Sequence, residues 1–366
     1  MGSLPRIPLV DVARQYAMVE EQAIQAVLGV LSSGRYILGG EVRAFEGEIA
    51  DYLGVKYAVG VASGTDALFL TLRALGVGPG DEVVTTPFTF VATAEAVANL
   101  GAVPRFVDIE EDNFNIDPGK IAGALTDCTR AVIPVHLFGH PADIESCLRV
   151  CEDRGIPLVE DCAQCLGAEV TGKKAGSFGS AGALSFYPSK NLGAGGDAGM
   201  LVTGDEALAE SARMLRDHGS AKKYYHEAVG INSRLDEVQA AFLRVKLERL
   251  AEWNGERAAV AAYYDSHLEG VVKPAVRTGF THAYHQYTIR SERRDDLARR
   301  LEEAGIASAI YYRVPLHLQP CFAGLGYVKG DLPVAEKAAR EALSLPIFPG
   351  MTAEEMERVC AAVNTG

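Results

Sequence analysis

The sequence contains no apolar run of the ~20 residues that a membrane-spanning helix requires. Its first residues lack a signal-peptide pattern, and it contains neither an internal repeat nor a low-complexity segment. These absences favour a globular protein, which we expect in the cytoplasm. A chain of 366 residues is long enough for two domains, or for one large domain with an appendage.

Positive charge is scarce as well. Lys and Arg number 35 against 48 Asp and Glu, which gives a net charge of −13. This balance argues against nucleic acid as the main partner. It does not argue against an anionic small substrate, because a binding site can be positive while the whole chain is acidic.

The cysteines are few and odd in number, seven in all. Without an export signal, an odd count argues against a disulfide framework. The pairs Cys147/Cys151 and Cys162/Cys165 have spacings that zinc sites use. The second pair directly follows an apolar strand, which favours small buried thiols over a metal site. A zinc-binding module built on the two pairs is kept as an alternative.

Short apolar segments typical of strands alternate with amphipathic segments typical of helices. The predicted strands are residues 57–62, 82–86, 103–107, 131–135, 157–161 and 200–202. The predicted helices between and before them include residues 20–32, 63–76, 91–99 and 148–154. This alternation implies a mainly parallel sheet with helices on both faces. Ligands bind at the carboxyl ends of such strands, where Ser63, Phe88, His136 and Asp161 lie.

The second part of the chain has a different pattern. Residues 218–233 are polar without periodicity and are predicted to form a long loop, and residues 235–262 are predicted to form one long helix. Shorter elements follow from about residue 265. We therefore predict a large domain over residues 1–250 and a smaller α+β domain over residues 251–366.

Lys190 stands between a Ser/Tyr/Pro cluster that begins at Ser185 and a run of small residues that ends at Gly199. Lysine attacks carbonyl groups only when its amine is at least partly neutral, which a partly desolvated site favours. The glycines let the backbone approach a flat or charged ligand closely. Taken alone, the segment is more typical of a flexible surface loop.

The strand ends offer what one cofactor of such a lysine, pyridoxal phosphate, requires. Asp161 can keep the pyridine nitrogen protonated. Gly64 and Thr65 open a helix, whose N–H groups and dipole suit a phosphate group, and Ser185 can add a hydroxyl. The alternative at this helix start is simple capping by Ser63 or Thr65.

An aromatic face and an amide complete the set. Phe88 or Phe90 can stack on the cofactor ring, and Gln164 can bond its phenolic oxygen. Each aromatic residue has a structural alternative, because aromatic residues of this type usually lie in the core. Asp161 could likewise cap a helix, and Gln164 could face solvent.

These residues lie in motifs that resemble the DegT/DnrJ family of pyridoxal-phosphate-dependent sugar aminotransferases. The resemblance runs nearly end to end and implies the fold of the aspartate aminotransferase superfamily, fold type I, with a mainly parallel seven-stranded sheet and a smaller C-terminal domain. The matching motifs are residues 63–68, 79–83, 135–141, 159–164, 185–193, 230–236 and 239–241. One departure is that Cys162 and Cys165 stand where relatives usually carry small residues or His.

The resemblance also implies roles for the matched residues. Lys190 would bind the cofactor covalently and carry the proton between the two carbon centres of the amino-group shift, and Asp161 would pair with the pyridine nitrogen. Phe90 takes the stacking position, with Phe88 the lesser candidate. The phosphate contacts would be Gly64, Thr65, Ser185 and, from the neighbouring subunit of a homodimer, Asn232.

For the reaction, the resemblance implies transfer of an amino group from L-glutamate to a keto-deoxysugar linked to a nucleoside diphosphate. Arg234 and His317 are the candidate substrate contacts, and a 3-keto-6-deoxyhexose on dTDP is favoured over a 4-keto sugar on dTDP or UDP. Family members with His in place of the lysine are dehydratases, which Lys190 disfavours. A non-catalytic sensor that binds pyridoxal phosphate is the alternative from another class.

Overall fold

The computed structural model describes residues 5–222 and 224–365, and in it strands and helices alternate as predicted. The strands are β1 (Tyr57–Val61), β2 (Glu82–Thr85), β3 (Val103–Phe106), β4 (Thr129–Ile133), β5 (Val159–Asp161), β6 (Glu169–Val170), β7 (Lys173–Lys174), β8 (Ala181–Ser185), β9 (Gly199–Thr203), β10 (Ser220–Lys222), β11 (Tyr225–His226), β12 (Tyr287–Arg290) and β13 (Ala342–Leu345).

Thirteen α-helices lie among the described residues. They are α1 (Val12–Ala17), α2 (Glu20–Ser33), α3 (Gly40–Leu53), α4 (Gly64–Ala74), α5 (Ala92–Ala98), α6 (Pro118–Ala124), α7 (Ile144–Glu152), α8 (Glu206–Leu215), α9 (Glu237–Leu247), α10 (Leu250–His267), α11 (Arg294–Glu303), α12 (Pro333–Glu341) and α13 (Ala353–Asn364). Short 3-10 helices lie at Leu137–Gly139, Leu316–Leu318 and Pro320–Leu325. No helix of the described residues is both long and apolar enough to cross a membrane.

A seven-stranded sheet forms the centre of the molecule. Strands β1-β9-β8-β5 and β3-β2-β4 are hydrogen-bonded in those orders, and parallel bridges from Val132 to Leu158 and from Val135 to Asp161 join β4 to β5. Only β9 runs antiparallel to its neighbours within this sheet. The predicted mainly parallel seven-stranded sheet is therefore confirmed.

Helices cover both faces of the sheet. Successive residues of a strand point to opposite faces, so each strand contributes side chains to both layers of helices. In β1, Ala58 packs into a core cluster with α3 and α9, whereas Val59 and Val61 pack into a cluster with α4 and α8. In β9, Met200 lies in the first cluster and Leu201 in the second. This double burial explains why β1 and β9 consist largely of apolar residues.

Two predictions about the later chain are corrected. One helix is expected over residues 235–262, but the structure has two, α9 and α10. They are separate because α9 packs against α2 and α3, whereas α10 packs against α13. The loop expected over residues 218–233 contains the hairpin of β10 and β11, whose strands are too short to show periodicity in the sequence. Lys223, which also belongs to the predicted loop, lies outside the described residues.

The C-terminal part has its own small sheet and core. Strands β12 and β13 pair antiparallel, and bridges from Val272 to Arg290 and from Ala309 to Ser344 extend the sheet on both sides. Ile7 is buried in the same core. The division at residue 250 stays a prediction, with the qualification that the start of the chain packs against the C-terminal part.

The carboxyl ends of β1, β5 and β8 lie along one edge of the central sheet, since these three strands run in the same direction. Gly64 opens α4 directly after β1, Asp161 ends β5, and Ser185 ends β8. Lys190 follows β8 by five residues and is thereby placed at this edge.

Candidate active site

Lys190 lies in a turn held at several points, not in a loose loop. Its own N–H donates to the carbonyl of Tyr187 at 2.8 Å. The side chain of the next residue, Asn191, donates to Asn254 Oδ1 and to the carbonyl of Ala283, each at 2.7 Å. The flexible-loop interpretation is therefore wrong.

A second lysine, which the sequence did not single out, supports the same turn. Lys246 of α9 is almost fully buried, and its Nζ donates to the carbonyl of Gly193. The turn allows no side chain at Gly193, where an added Cβ would clash with the carbonyl oxygen of Pro188. Burial lowers the pKa of Lys246 to about 8. Nothing in the sequence distinguishes this lysine from an exposed helical one.

The Lys190 side chain is half-buried in the described chain, and its protonation is shifted toward the neutral amine. Burial lowers the pKa of Lys190 to about 8, although the carboxylate of Asp161 acts in the opposite direction. Near pH 8 about half of the amine is neutral, as nucleophilic chemistry requires.

Asp161 is buried and bonded through both carboxyl oxygens. The hydroxyl of Thr93 donates to Oδ2 at 2.8 Å, and the N–H of Ala163 donates to Oδ1 at 3.2 Å. Burial raises the pKa of Asp161, while these two bonds and the nearby Lys190 oppose the rise. The residues after Asp161 form turns instead of a helix, so the helix-cap alternative is wrong.

The start of α4 forms a cradle for an anion. Ser63 caps the helix by accepting a bond from the N–H of Asp66 at 3.1 Å, so the capping interpretation holds for Ser63. The first N–H groups of a helix have no partner within it, and they stand at the positive end of the dipole. Gly64 lies so close to β8 that an added Cβ would be 2.7 Å from Ser185 Cβ. The structure thus brings Gly64, Thr65 and Ser185 together.

The two candidate aromatic residues differ in how far their side chains are buried. Phe88 is fully buried and stacks on Phe114 with 5.8 Å between ring centroids. Its ring is used within the core, and its expected role as a cofactor contact stays a prediction. Phe90 is 56% exposed, with its ring 6.3 Å from that of Tyr312. Phe90 is therefore the residue with a ring free to cover a ligand.

Gln164 is held in one orientation and does not face solvent. Its Oε1 accepts a bond from the N–H of Phe138 at 2.7 Å, and its Nε2 donates to the hydroxyl of Tyr312 at 3.3 Å. The amide therefore presents a donor, as a ligand's phenolate oxygen requires. Tyr312 comes from the C-terminal part of the chain, and no sequence pattern linked it to Gln164.

The remaining predicted contacts are Asn232, Arg234 and His317. Asn232 is exposed, and Arg234 forms an ion pair with Asp217 at 2.8 Å. His317 is buried, with its Nε2 3.2 Å from Glu336 Oε1, and among the described residues its Nδ1 has no partner. The roles of these three residues stay predictions.

The four paired cysteines do not form a common metal site. Cys147 and Cys151 lie in one core cluster and Cys162 and Cys165 in another, so the zinc module built on both pairs is corrected. Burial also raises the pKa of Cys162 well above its usual value, which disfavours the thiolate that metals bind.

Cys162 and Cys165 do lie close to His136, with their candidate ligand atoms within 4.8 Å of one another. Both nitrogens of His136 are already bonded, however. Nδ1 accepts from the N–H of Ala142 at 2.9 Å, and Nε2 lies 3.0 Å from Glu160 Oε2. In this geometry His136 is neutral and serves the structure beneath Asp161.

The residues at the sheet edge fit pyridoxal phosphate by the chemistry of the groups they present. A buried carboxylate suits a protonated ring nitrogen, a helix start suits a phosphate group, and an amine with a lowered pKa suits a carbonyl carbon. Thr93, Tyr312 and Lys246 are the supporting residues that the sequence did not indicate.

Comparison with known proteins agrees with this geometry. The model of the DegT/DnrJ/EryC1/StrS aminotransferase family matches residues 17–364. A pleiotropic regulatory protein of Geobacillus stearothermophilus is 48% identical over 96% of both chains. The dTDP-3-amino-3,4,6-trideoxy-alpha-D-glucose transaminase of Streptomyces venezuelae is 46% identical over 98% of this chain and 96% of the relative. The crystal structure of S. venezuelae DesV in complex with a ketimine intermediate superposes with a TM-score of 0.96 at 46% identity, covering 99% of this chain and 98% of that one.

Proposed function

We propose, from the premise that the chain belongs to the DegT/DnrJ/EryC1/StrS aminotransferase family, that it aminates a 3-keto-6-deoxyhexose linked to dTDP. The amino donor in this proposal is L-glutamate, and the products are an amino sugar and 2-oxoglutarate. The chain is a pyridoxal-phosphate-dependent aminotransferase of this family, and its relatives act on sugars. A 4-keto sugar on dTDP or UDP is the second candidate.

The observation that supports the reaction is that Lys190 and the buried carboxylate of Asp161 lie at one sheet edge, near enough for their charges to interact. Pyridoxal phosphate, when bound, supplies an electron sink for the carbon that loses or gains the amino group. Asp161 would hold the proton of the ring nitrogen and so strengthen that sink. Lys190 Nζ, with its pKa lowered to about 8, can take up a proton at one carbon and deliver it to the other.

The other residues would bind and orient. The N–H groups of Gly64 and Thr65 and the hydroxyl of Ser185 would hold the phosphate group. The exposed ring of Phe90 would cover one face of the cofactor, and the Nε2 atom of Gln164 would donate to its phenolate oxygen.

We further propose a homodimer with shared sites. Along α2, the apolar side chains of Ile24, Leu28 and Leu31 are 41%, 49% and 49% exposed at helical spacing, an arrangement that a second copy of the chain would cover. Asn232 is also exposed, as a residue that reaches a partner's phosphate must be. The alternative is a non-catalytic sensor, which would bind pyridoxal phosphate at the same lysine without turning over an amino donor.

The preference for a 3-keto sugar on dTDP rests on similarity to the Streptomyces venezuelae transaminase. A panel of nucleotide-linked keto sugars, assayed with L-glutamate for 2-oxoglutarate release, tests it. We expect the highest kcat/KM with a dTDP-linked 3-keto sugar. A clear preference for 4-keto substrates would favour the second candidate, and binding of pyridoxal phosphate without turnover of any amino donor would favour the sensor.

A further inference from the structure

The carboxyl group of Asp161 is held by a short chain of hydroxyl groups from the segment that follows β2. Thr93 Oγ1 donates to Asp161 Oδ2 at 2.8 Å, and Thr89 Oγ1 lies 3.1 Å from Thr93 Oγ1. Both threonines are almost fully buried, at 3% and 1% exposure for Thr89 and Thr93. Because the Thr93 proton points to Asp161, the Thr93 oxygen accepts from Thr89, which completes a directed chain toward the carboxylate.

This chain matters because burial alone would favour the neutral acid at Asp161. Taking a carboxylate out of water disfavours its charged form, whereas hydrogen bonds to that form favour it. The other donor to the carboxyl group is the N–H of Ala163, at the longer distance of 3.2 Å. Thr93 therefore makes the shorter of the two bonds on which the charged state depends.

We propose that Thr93 is a positioning residue that keeps the Asp161 carboxylate ionised and fixed toward the cofactor's ring nitrogen. Thr93 acts through Asp161, with Thr89 as the outer member of the chain. The inference rests on the cofactor and not on the sugar, so an error in the proposed substrate would leave it unaffected.

Other charged and titratable groups face the same carboxylate and must stay unchanged in any test. Lys190 favours its charged form, and the neutral ring of His136 packs beside it. Cys162 and Tyr312 also face it, and the carboxylate raises the pKa of each of these two groups. None of these is altered by a substitution at Thr93, which removes one hydroxyl and no charge.

The test is Thr93→Val, which keeps the shape of the side chain and removes its hydroxyl. Apoprotein is titrated with pyridoxal phosphate by equilibrium dialysis between about pH 5 and pH 9, and unfolding is followed in parallel. Thr93→Ser keeps a hydroxyl at this position and should therefore retain cofactor binding. Thr288→Val is the matched control, since Thr288 is equally buried and bonds Ser344 in the C-terminal sheet.

We expect Thr93→Val to weaken cofactor binding about 10- to 100-fold near neutral pH, the amount that one hydrogen bond to a charged group supplies. Without the donor, Asp161 takes up a proton at higher pH, so the acid-side fall in affinity should move upward by about one to two pH units. Thr93→Ser should return both quantities to within a few fold of the wild type. Thr89→Val should give a smaller change in the same direction.

Unchanged affinity and an unmoved acid limb in Thr93→Val would overturn the proposal. So would a loss of affinity that Thr288→Val reproduces, or one that occurs without any shift of the acid limb, since a merely structural role predicts those results. Thr93→Ala provides the same comparison if the valine variant does not fold.

Discussion

Replacing Gly64 with alanine tests the phosphate cradle most sharply, because the contact made by the new methyl group is known. An added Cβ would lie 2.7 Å from Ser185 Cβ, 3.2 Å from Ser185 Cα and 3.3 Å from the carbonyl oxygen of Leu184. Two of these three atoms belong to the backbone of β8, so rotation of a side chain cannot relieve the crowding. The first turn of α4 must move away from Ser185.

Overpacking of this kind costs about 1–3 kcal/mol. If the displacement separates the donors of Gly64 and Thr65 from Ser185, that free energy corresponds to about a 5- to 150-fold loss of affinity for pyridoxal phosphate. Equilibrium dialysis of the apoprotein measures it. Pyridoxal, which lacks the phosphate group, serves as the second ligand and should lose little affinity.

Gly29→Ala is the matched control, because Gly29 lies inside α2 and an added Cβ there meets nothing within 4 Å. That variant should bind the cofactor normally and gain about 0.5–1 kcal/mol of stability from the better helix former. Normal phosphate-dependent binding by Gly64→Ala would refute the cradle, as would an equal loss of affinity for pyridoxal.

The remaining predictions concern the aromatic pair and the second subunit. Phe88→Ala should lower the free energy of unfolding by about 3–5 kcal/mol, because Phe88 is fully buried. Phe90→Ala should cost little stability yet weaken cofactor binding. Denaturant unfolding and equilibrium dialysis measure the two effects, and equal behaviour of the two variants would contradict this prediction. Mixing inactive Lys190→Ala with an inactive Asn232→Ala variant should restore activity in heterodimers, and no recovery after subunit exchange would show that Asn232 does not serve the partner's site.

The parts of the fold that the sequence predicts are those in which apolar periodicity and tertiary packing agree. The largely apolar strands β1 and β9 are one example, since burial on both faces of the sheet demands that composition. The sequence predicts one helix across the break between α9 and α10 because apolar residues resume at helical spacing, with Leu247 before it and Leu250 after it. The two helices nevertheless pack against different partners.

In the candidate site, too, some residues can be predicted from the sequence and others are shown only by tertiary contacts. Asp161 and Lys190 follow recognisable strands, so their place at the sheet edge could be predicted. Phe88 and Phe90 are two residues apart in one motif, and only packing against Phe114 shows that the first belongs to the core. Thr93 reaches Asp161 from 68 positions away along the chain, a contact that a single sequence does not reveal.

The central claim is that Lys190 makes this chain an aminotransferase of the kind proposed, and one spectrum tests it. Holoenzyme is mixed with L-glutamate in the absence of any sugar, and the absorbance of the bound cofactor is recorded together with the 2-oxoglutarate formed. We expect the long-wavelength band to disappear as one equivalent of 2-oxoglutarate appears per site, and Lys190→Ala to show neither change although it folds. A band that persists with L-glutamate, or normal turnover by Lys190→Ala, would contradict the account.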